Sequence, residues 1–545
     1  MTEPPQPPNQ PPPPSGYGHL PGPPQPGYGY PQQGDNPYAQ QPPTQPMQQP
    51  APQQGYFPPP PGMPTAGPYQ APGTPQPPKK KTAVIIAAAV AGVLVLGTGG
   101  YFAFRDGGTD PKPPVAQGST PADAKPSATV DNGDGSGNGG NATEDLNAGR
   151  KQGEDKTLWL KTAKIDGPGL GVDSGGQWIV GDTVVKSVWK NLTAYGIADG
   201  KEKWTLALPT PICSVTKQTT AESKTVVMFK DGEGDSATCS QMKQVDLKTG
   251  KEGWTKEVPK EGLFDIMTSP SLGITGDTVA VSRGGTASAF KVSTGDKLFG
   301  SATAEGCKPD AYVANKGKMI AIATCYDDDL SSEVSDADPV TGKKTWTFKL
   351  PAKYKVGAVY SLDPLVLDIG NQDKKERAIV VLGPDGKQRA TVSGEGSFAT
   401  ECTNGLFRSV EICSTTAVDA GTLYMPTVAE SGKANEIVAF DLGTGKAKWR
   451  TPAGDGRTIV PLSAANGQLI AYRKATSDQG GEVLSIPAAG GTPTALLRNP
   501  SGPSAPIENS FFTPIVDYAD GRLFVSQSRL LAKGTPEKLL MVFGK

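Results

Sequence analysis

The sequence has almost no histidine: among its 545 residues the only one is His19, which lies in a proline-rich segment. A catalytic Ser-His-Asp or Cys-His pair and a histidine-ligated metal therefore have no basis in this chain. An excess of charge of one sign is also lacking, because 53 Lys+Arg balance 54 Asp+Glu and the formal net charge is −1. The overall basic character of a nucleic-acid-binding protein is therefore missing.

Residues 1–81 are rich in proline, glutamine, glycine and tyrosine, and residues 1–78 hold 29 of the 54 prolines. This composition offers too little apolar surface to offset the entropy of ordering, which predicts a disordered tail with polyproline II character. Two interpretations stay open: a docking or self-association tail for a cytoplasmic partner, and a solvated spacer.

A run of 23 uncharged, mostly apolar residues, 82–104, follows the three lysines at 79–81. Its length matches the ~20 residues that cross a bilayer as a helix. A cleaved signal peptide is the alternative, but the 81 preceding residues are far too many for its basic leader. On the C-terminal side of the run the nearest positive charge is Arg105, which lies beside Asp106. The positive-inside rule therefore predicts a cell membrane protein with a single span, a cytoplasmic tail and an extracellular C-terminal part.

Residues 105–155 read as a flexible extracellular linker, first rich in Pro, Ala, Ser and Thr and then in Gly and Asn. The stretch 131–141 alternates Asp, Asn and Gly in the manner of a calcium loop. An EF-hand loop that began at Asp131 would need ligands where Gly133 and Ala142 stand, so the pattern fails.

From residue 156 onward, short β-branched and aromatic runs alternate with Gly/Asp turns. One unit recurs five times: an apolar strand, a turn that in four of the five copies contains Thr-Gly, and an aromatic residue four positions after the turn glycine. An Asp before the turn can bond its backbone, the glycine can adopt a positive φ, and the ring can pack between adjacent sheets. The defining turn residues are Gly200, Trp204, Asp246, Gly250, Trp254, Gly295, Phe299, Asp338, Gly342, Trp346, Asp441, Gly445 and Trp449.

A second element, a short apolar strand that usually begins after a glycine, starts near residues 181, 224, 276, 317, 364, 421, 467 and 521. A period of ~40–50 residues with several strands per unit is the signature of a β-propeller. Eight starts predict eight blades in an all-β domain at 156–545, and seven remain an alternative because the fifth and seventh units lack the turn aromatic. The last unit is too short for four strands, so we expect 157–161 to complete it and close the ring.

The Asp-x-x-Thr-Gly-x-x-x-Trp turns resemble those of the pyrroloquinoline-quinone-like propellers. That superfamily includes quinoprotein alcohol dehydrogenases and the lipoprotein propeller of the outer-membrane assembly machinery. The resemblance covers roughly residues 156–545 and implies architecture rather than chemistry, because non-enzymatic members carry the same turns. The order of proline-rich tail, Lys-flanked anchor and external propeller is similar to membrane proteins of high-GC Gram-positive bacteria.

The resemblance also implies what a quinoprotein site would need: a vicinal Cys-Cys disulfide, a stacking Trp, a calcium site and a catalytic Asp at the propeller centre. In this sequence no two cysteines are adjacent, and most tryptophans are turn aromatics. We therefore expect no cofactor and name no catalytic residue.

Six cysteines, all C-terminal to the apolar run, favour disulfides in an extracellular domain. Neighbours in sequence would pair as Cys213–Cys239, Cys307–Cys325 and Cys402–Cys413, one of 15 connectivities open to six cysteines. A zinc site is the alternative, but the chain has no C-x-x-C motif.

An acidic stretch could bind a divalent cation, although a solvated inter-blade loop is the favoured interpretation. It consists of Asp327, Asp328, Asp329, Glu333, Asp336 and Asp338. We expect no metal there.

These features predict a membrane-anchored propeller that binds or scaffolds a protein or an envelope component through loops of variable length. Two other functions stay open: a quinone- or calcium-dependent oxidoreductase, and an extracellular ligand sensor that signals through the tail. The sequence identifies no nucleic-acid partner.

Overall fold

The computed structural model of the chain describes residues 145–545, except 235, 263, 264, 266, 268, 305, 328, 329, 372, 400, 401, 403–411 and 455. The predicted tail at 1–81, the predicted transmembrane helix at 82–104 and most of the predicted linker lie outside these residues. Within the described part, no helix is long and apolar enough to cross a membrane.

Eight four-stranded antiparallel sheets form the eight blades of a β-propeller, so the alternative of seven blades is wrong. In blades 1 to 7 the four strands follow one another along the chain. Blades 1 and 2 consist of β3 (Gln177–Val180), β4 (Thr183–Val188), β5 (Asn191–Gly196), β6 (Glu202–Ala207), β7 (Ile212–Val215), β8 (Lys224–Phe229), β9 (Gln241–Asp246) and β10 (Glu252–Glu257). Blades 3 and 4 consist of β11 (Ser271–Thr275), β12 (Thr278–Arg283), β13 (Thr286–Lys291), β14 (Lys297–Gly300), β15 (Pro309–Asn315), β16 (Lys318–Thr324), β17 (Ser332–Ala337) and β18 (Lys344–Lys349).

The same pattern continues through blades 5, 6 and 7. Their strands are β19 (Lys355–Leu362), β20 (Leu365–Asn371), β21 (Glu376–Leu382), β22 (Gln388–Val392), β23 (Ala417–Val418), β24 (Thr422–Pro426), β25 (Glu436–Asp441), β26 (Ala447–Pro452), β27 (Ile459–Ala465), β28 (Gln468–Arg473), β29 (Glu482–Pro487) and β30 (Thr494–Arg498). The eight predicted strand starts all fall at the second strand of a blade, from β4 in blade 1 onward. Those second strands are largely buried on both faces, as their apolar runs require.

Blade 8 combines the two ends of the domain. Its strands are β31 (Ile515–Ala519), β32 (Arg522–Ser526), β34 (Lys533–Gly544) and, on the outside, β1 (Lys156–Asp166). Strand β1 pairs antiparallel with β34 along its length, from Lys156 opposite Gly544 to Asp166 opposite Lys533. The expectation that 157–161 completes the last blade is therefore confirmed, and the N-terminal strand closes the ring.

Three small elements lie between the blades. The 3-10 helix Ser301–Thr303 and the α-helix α1 (Ser504–Asn509) precede blades 4 and 8, and β2 (Val172–Asp173) pairs with β33 (Arg529–Leu530).

The core is divided into eight layers, each made by the apolar faces of two neighbouring blades. The layer between blades 8 and 1 contains Trp159, Val184, Phe524 and Val542, all almost fully buried. Because every blade is covered on both sides, burial of apolar surface holds the ring together without one central core.

The repeated turns join the third strand of each blade to its fourth, and the predicted glycines have positive φ, between 67° and 73°. The predicted Asp caps also form: Asp441 Oδ1, for example, accepts hydrogen bonds from the backbone N–H groups of Gly443 and Thr444 at 3.0 and 2.8 Å. In six of the eight interfaces between neighbouring blades, here called seams, the aromatic residue of one blade covers the turn glycine of the next: Trp159 on Gly200, Trp204 on Gly250, Trp254 on Gly295, Phe299 on Gly342, Trp346 on Gly386 and Trp449 on Gly490. The aromatic residue is thus an inter-blade contact.

Blade 5 lacks a turn aromatic, and backbone contacts join it to blade 6 instead. The Ser393 N–H donates to the Gly445 carbonyl oxygen at 2.8 Å, and the backbone of Thr391 occupies the space that a ring fills elsewhere. Trp449 of blade 6 covers Gly490 in blade 7 although that turn differs in sequence.

Residues 145–155, assigned from the sequence to the linker, pack against blades 7 and 8. Leu146 is buried in the layer between these blades, and the Ser504 hydroxyl donates to its carbonyl oxygen at 2.7 Å. The Arg498 N–H donates to the Asp155 carboxylate at 2.8 Å. The folded domain therefore begins before residue 156, because one apolar side chain and several hydrogen bonds attach this segment.

Candidate functional site

The two faces of the propeller differ in their connections. On the turn face, mostly tight turns join the first strand of a blade to the second and the third to the fourth. On the opposite face, which we call the long-loop face, connections join the second strand to the third and each blade to the next. The longest of these are 167–176, 230–240, 258–270, 393–416, 427–435 and 499–514. Loops on a rigid scaffold are the usual place for binding residues.

Exposed hydrophobic side chains are concentrated on the long-loop face. Among the described residues seven large ones are exposed, and six of these lie there: Leu170, Tyr326, Leu330, Val428, Phe512 and Leu531. The seventh, Val340, lies on the turn face between β17 and β18. Apolar groups gathered on one face indicate a surface that another molecule covers.

One group of loops on this face exposes apolar side chains above blade 8, and we call such a group a crest. It carries Leu170, Phe512 and Leu531, which are 86%, 81% and 59% exposed. Pairing of β2 with β33 brings the connections of Leu170 and Leu531 side by side, and the Gly167 N–H donates to the Ala532 carbonyl oxygen at 2.9 Å. The Ser528 hydroxyl donates to the Thr513 carbonyl oxygen at 2.9 Å and attaches the connection of Phe512. These bonds hold three separate connections in one arrangement.

A second crest lies on blade 4, in residues 325–331, where Tyr326 is 89% exposed. The Cys325 N–H donates to the Ser331 carbonyl oxygen at 2.7 Å, and the Asp327 carboxylate accepts from the Ser331 N–H at 2.8 Å. Leu330 has a φ of 45°, which is rare for a bulky residue, and its side chain faces solvent. A backbone that is held in a strained conformation and exposes an apolar side chain is typical of a binding loop.

All six cysteines form disulfides, in the predicted pairs. The Cα atoms of Cys213–Cys239, Cys307–Cys325 and Cys402–Cys413 are 5.9, 5.0 and 4.9 Å apart. Each bond ties a long-loop connection to a neighbouring strand or to another part of that face, so the disulfides fix the face that exposes the hydrophobic side chains.

A buried ion pair fixes the connection 258–270. The Arg283 guanidinium donates to both carboxylate oxygens of Asp265, with the shortest distances at 2.8 Å, and both side chains are almost inaccessible to solvent. A further hydrogen bond runs from Arg283 to the Pro259 carbonyl oxygen at 3.1 Å. A two-point carboxylate contact of this kind orients the loop as well as attaching it.

The central channel contains a cavity of about 260 Å³ toward the long-loop face. Its walls come from the first strands of blades 2, 3 and 4 and from the start of blade 1. They include Asp173, Leu272 and Val313, with Lys217 and Gln218 at the end nearer the turn face. Ile412 also lines it, because the connection 393–416 enters the channel and the Cys413 N–H donates to the Val359 carbonyl oxygen at 2.9 Å.

Two charged groups near this cavity have altered proton affinities. Burial lowers the pKa of Lys186 to about 7, against the attraction of Asp173 and Asp517, and its ammonium donates to the Ser174 carbonyl oxygen. Solvent reaches Asp173 from the cavity, but desolvation by the surrounding protein still raises the pKa of its carboxyl. Lys186 is fully enclosed between blades 8 and 1, so it acts on their seam.

The residues around the cavity do not fit a quinone cofactor. The structure describes all seven tryptophans, and none of them lines the cavity. Five cover turn glycines, and Trp178 is buried in the layer between blades 1 and 2 with its N–H on the Thr216 carbonyl oxygen at 2.8 Å. Asp173 is the only carboxylate in the lining, which is too few for the calcium ligands that such a site needs.

The acidic stretch of blade 4 is dispersed by the fold: Asp327 caps its own loop, whereas Asp338 caps a turn on the opposite face. Asp328 and Asp329 lie outside the described residues. Within the described part, Cys307, Cys325 and Glu333 are the only group with metal-ligand spacing, and the two sulfurs are joined in a disulfide.

The sequence-predicted turn residues therefore lie on the turn face and in the seams, away from the exposed hydrophobic side chains. The crest residues went unnoticed in the sequence because single apolar residues in loops have no period. An apolar residue between turn formers, such as Leu170 within Gly-Pro-Gly-Leu-Gly, is the one signal that was available.

One family profile matches this chain, and two solved structures align with it. The profile of the family described as outer membrane protein assembly factor BamB matches residues 147–308 and 243–479. The structure of BamB from Moraxella catarrhalis is 13% identical and aligns over 70% of this chain and 100% of that one, with a TM-score of 0.40. Quinohemoprotein alcohol dehydrogenase from Comamonas testosteroni is 14% identical over 72% of this chain and 75% of that one, with a TM-score of 0.41. No curated protein is significantly similar in sequence.

Proposed function

We propose that the long-loop face of this propeller binds a protein partner and that the domain is not an enzyme. The chain belongs to the family of the outer membrane protein assembly factor BamB, whose description as an assembly factor supports a binding role. The supporting observation is the placement of six of the seven exposed large hydrophobic side chains on that face. Aromatic and aliphatic anchors that become buried in a complex supply most of the energy of binding.

The rigidity of the two crests supports the same proposal. Tyr326 and Leu330 lie in a loop that a disulfide and backbone hydrogen bonds close, and Phe512 lies in a connection bonded to its neighbour. A loop backbone that is already ordered loses little entropy on binding, which improves affinity.

We place this activity at the outer surface of a cell membrane. The uncharged run at 82–104 and the lysines at 79–81 support a single span with the propeller outside, and three disulfides suit an oxidising compartment. Residues 1–81 then lie in the cytoplasm, where a tail rich in proline and tyrosine offers a surface to a second partner.

Site-specific photocrosslinking tests the proposal. A photoreactive phenylalanine analogue replaces Tyr326, Phe512 or, as the control, Val340 in the full chain produced in its own cells. We expect crosslinks to a common polypeptide from Tyr326 and Phe512 and none from Val340, which is equally apolar but lies on the turn face. Crosslinks of equal yield from all three positions, or from none, would refute the proposal.

A further inference from the structure

A second cavity, of about 470 Å³, opens at the turn-face mouth of the central channel. The ends of the first strands of blades 2, 3 and 4 form most of its wall, and residues 412–414 form the rest. This volume is within the usual range of small-molecule sites. The polar side chains in the wall are those of Lys217, Gln218, Thr219, Thr275, Asn315, Lys316 and Ser414.

The charge of this wall is wholly positive. Lys217 and Lys316 are its only charged residues, and no carboxylate lines the cavity. Neither ammonium group has an ion pair or hydrogen bond to any described residue. Some other lysines of the turn face are paired, as Lys203 is with Asp182 at 2.5 Å and Lys256 with Asp296 at 2.6 Å, whereas Lys446 has no described ion pair. Two unneutralised cations at one cavity raise the local positive potential.

The neutral groups beside the lysines add hydrogen-bond donors. The Thr216 hydroxyl donates to Gln218 Oε1 at 2.5 Å, which leaves the two N–H groups of Gln218 Nε2 without a described partner. Asn315, next to Lys316, likewise makes no side-chain hydrogen bond to a described residue. Donors outnumber acceptors in this wall, as an anion requires.

Lys316 occupies a turn position that disfavours lysine. It has a φ of 44° and is followed by Gly317 at 83°, whereas blades 7 and 8 place Asn466 and Asp520 at the same point. Asn and Asp are the residue types preferred there. The Gly317 N–H donates to Thr275 Oγ1 at 2.7 Å and anchors the turn beside the cavity. The fold thus accepts backbone strain to hold a cation at this mouth.

We propose that this cavity binds a small anion that carries phosphate or carboxylate groups, held by Lys217 and Lys316 and by the amides of Gln218 and Asn315. Lys217 and Gln218 also line the neighbouring cavity, whose wall includes Asp173, so the anion is placed on the Lys316 side, where no carboxylate lines the wall. The proposal is independent of protein binding at the long-loop face, because the two surfaces share no exposed residue.

Calorimetric titration of the full chain with inorganic phosphate and with citrate, in a buffer free of other multivalent anions, tests the site. We expect one saturable site for at least one of the two probes, and their relative affinities distinguish a phosphate ligand from a carboxylate ligand. Lys217→Gln should raise Kd about tenfold, the effect of losing one charge-assisted hydrogen bond. Lys316→Asn should do the same while providing a residue type that the turn prefers, so that folding is preserved.

Lys446→Gln is the matched control, because this exposed turn-face lysine also lacks a described ion pair and lies outside the cavity wall. Its Kd should equal that of the unchanged chain. Absence of saturable binding for both probes overturns the proposal. So does an equal loss in all three variants, which would mean binding by overall charge. Melting temperatures of the variants verify that each is folded, and the crosslinking at Tyr326 reports separately on the long-loop face.

Discussion

The indole N–H of Trp159 donates to the carbonyl oxygen of Ile197 at 2.9 Å, which joins the N-terminal strand of blade 8 to blade 1. The ring of Trp159 also covers Gly200, so one side chain makes both the polar and the apolar contact of the closing seam. Trp254 and Trp449 donate in the same way to Val292 and Ala488 in their following blades. The closing seam is therefore built like those that follow blades 2 and 6, although its strands come from opposite ends of the chain.

Replacement of Trp159 should open the ring at this seam. Trp159→Ala removes a fully buried ring and should lower the free energy of unfolding by about 3–5 kcal/mol. Trp159→Phe keeps most of the packing and loses mainly the hydrogen bond. It should therefore lower the free energy of unfolding by less, about 1 kcal/mol for the hydrogen bond and a further amount for the smaller ring. Urea denaturation of both variants measures the difference. Equal effects would mean that the ring surface contributes little to the closure.

Alanine substitutions at two glycines with similar backbone geometry distinguish the cost of overpacking against a docked ring from the cost of backbone strain. Gly250 has a φ of 71° and a Cβ there would stand 2.5 Å from the Trp204 ring, whereas Gly181 has a φ of 57° and open space around it. Gly181→Ala should cost about 1–2 kcal/mol from the left-handed conformation alone. Gly250→Ala adds overpacking of roughly 1–3 kcal/mol. Thermal unfolding that shifts equally in both variants would show that the ring moves aside freely.

Burial of Lys186 should make stability depend on pH. Its pKa is lowered from 10.5 to about 7 in the folded state, so between these values the unfolded chain binds more protons than the folded one. The free energy of unfolding should therefore rise as pH increases from 7 to 9.5, below the range where tyrosines titrate. Lys186→Met should remove this rise, and parallel slopes for both proteins in urea titrations would contradict the assignment.

Pyrroloquinoline quinone with calcium should leave the melting temperature unchanged. The cavity wall presents no tryptophan to stack on the ring and only one carboxylate, Asp173. A ligand at ~100 times its Kd would stabilise the folded state by ~2.7 kcal/mol, which thermal unfolding detects readily. A saturable increase would favour the oxidoreductase and would require a quinone site away from the described cavity.

Much of the fold could be predicted because the repeat depends on residues that lie close together in the sequence. A turn with a capping Asp and a glycine at positive φ has a fixed spacing, so Asp246 and Gly250 identify their hairpin without any tertiary information. The short final unit likewise required an additional strand, and the run at 157–161 was the only one without a blade of its own. The cysteine pairs followed from neighbours in sequence.

The binding surfaces could not be predicted in the same way. Lys217 and Lys316 are 99 positions apart in the sequence, and only the ring geometry brings the ends of blades 2 and 4 to one mouth. The connections of Leu170 and Leu531 are brought together by the β2–β33 pair, and that of Phe512 by a hydrogen bond from Ser528, contacts that have no sequence period. Leu146 was assigned to the linker because a single apolar residue among polar ones gives no sign of burial.

The pairing of β1 with β34 has a consequence for how the domain is made. Strand β1 emerges from the ribosome before any of the blades, while its partner emerges after the other seven are complete. Until synthesis reaches residue 544, β1 and β32, the two strands that flank β34 in blade 8, expose open sheet edges, and the layer between blades 8 and 1 is incomplete. Nascent chains that stall late therefore carry the edges and apolar surface of an unclosed ring, and quality control can distinguish them from finished molecules.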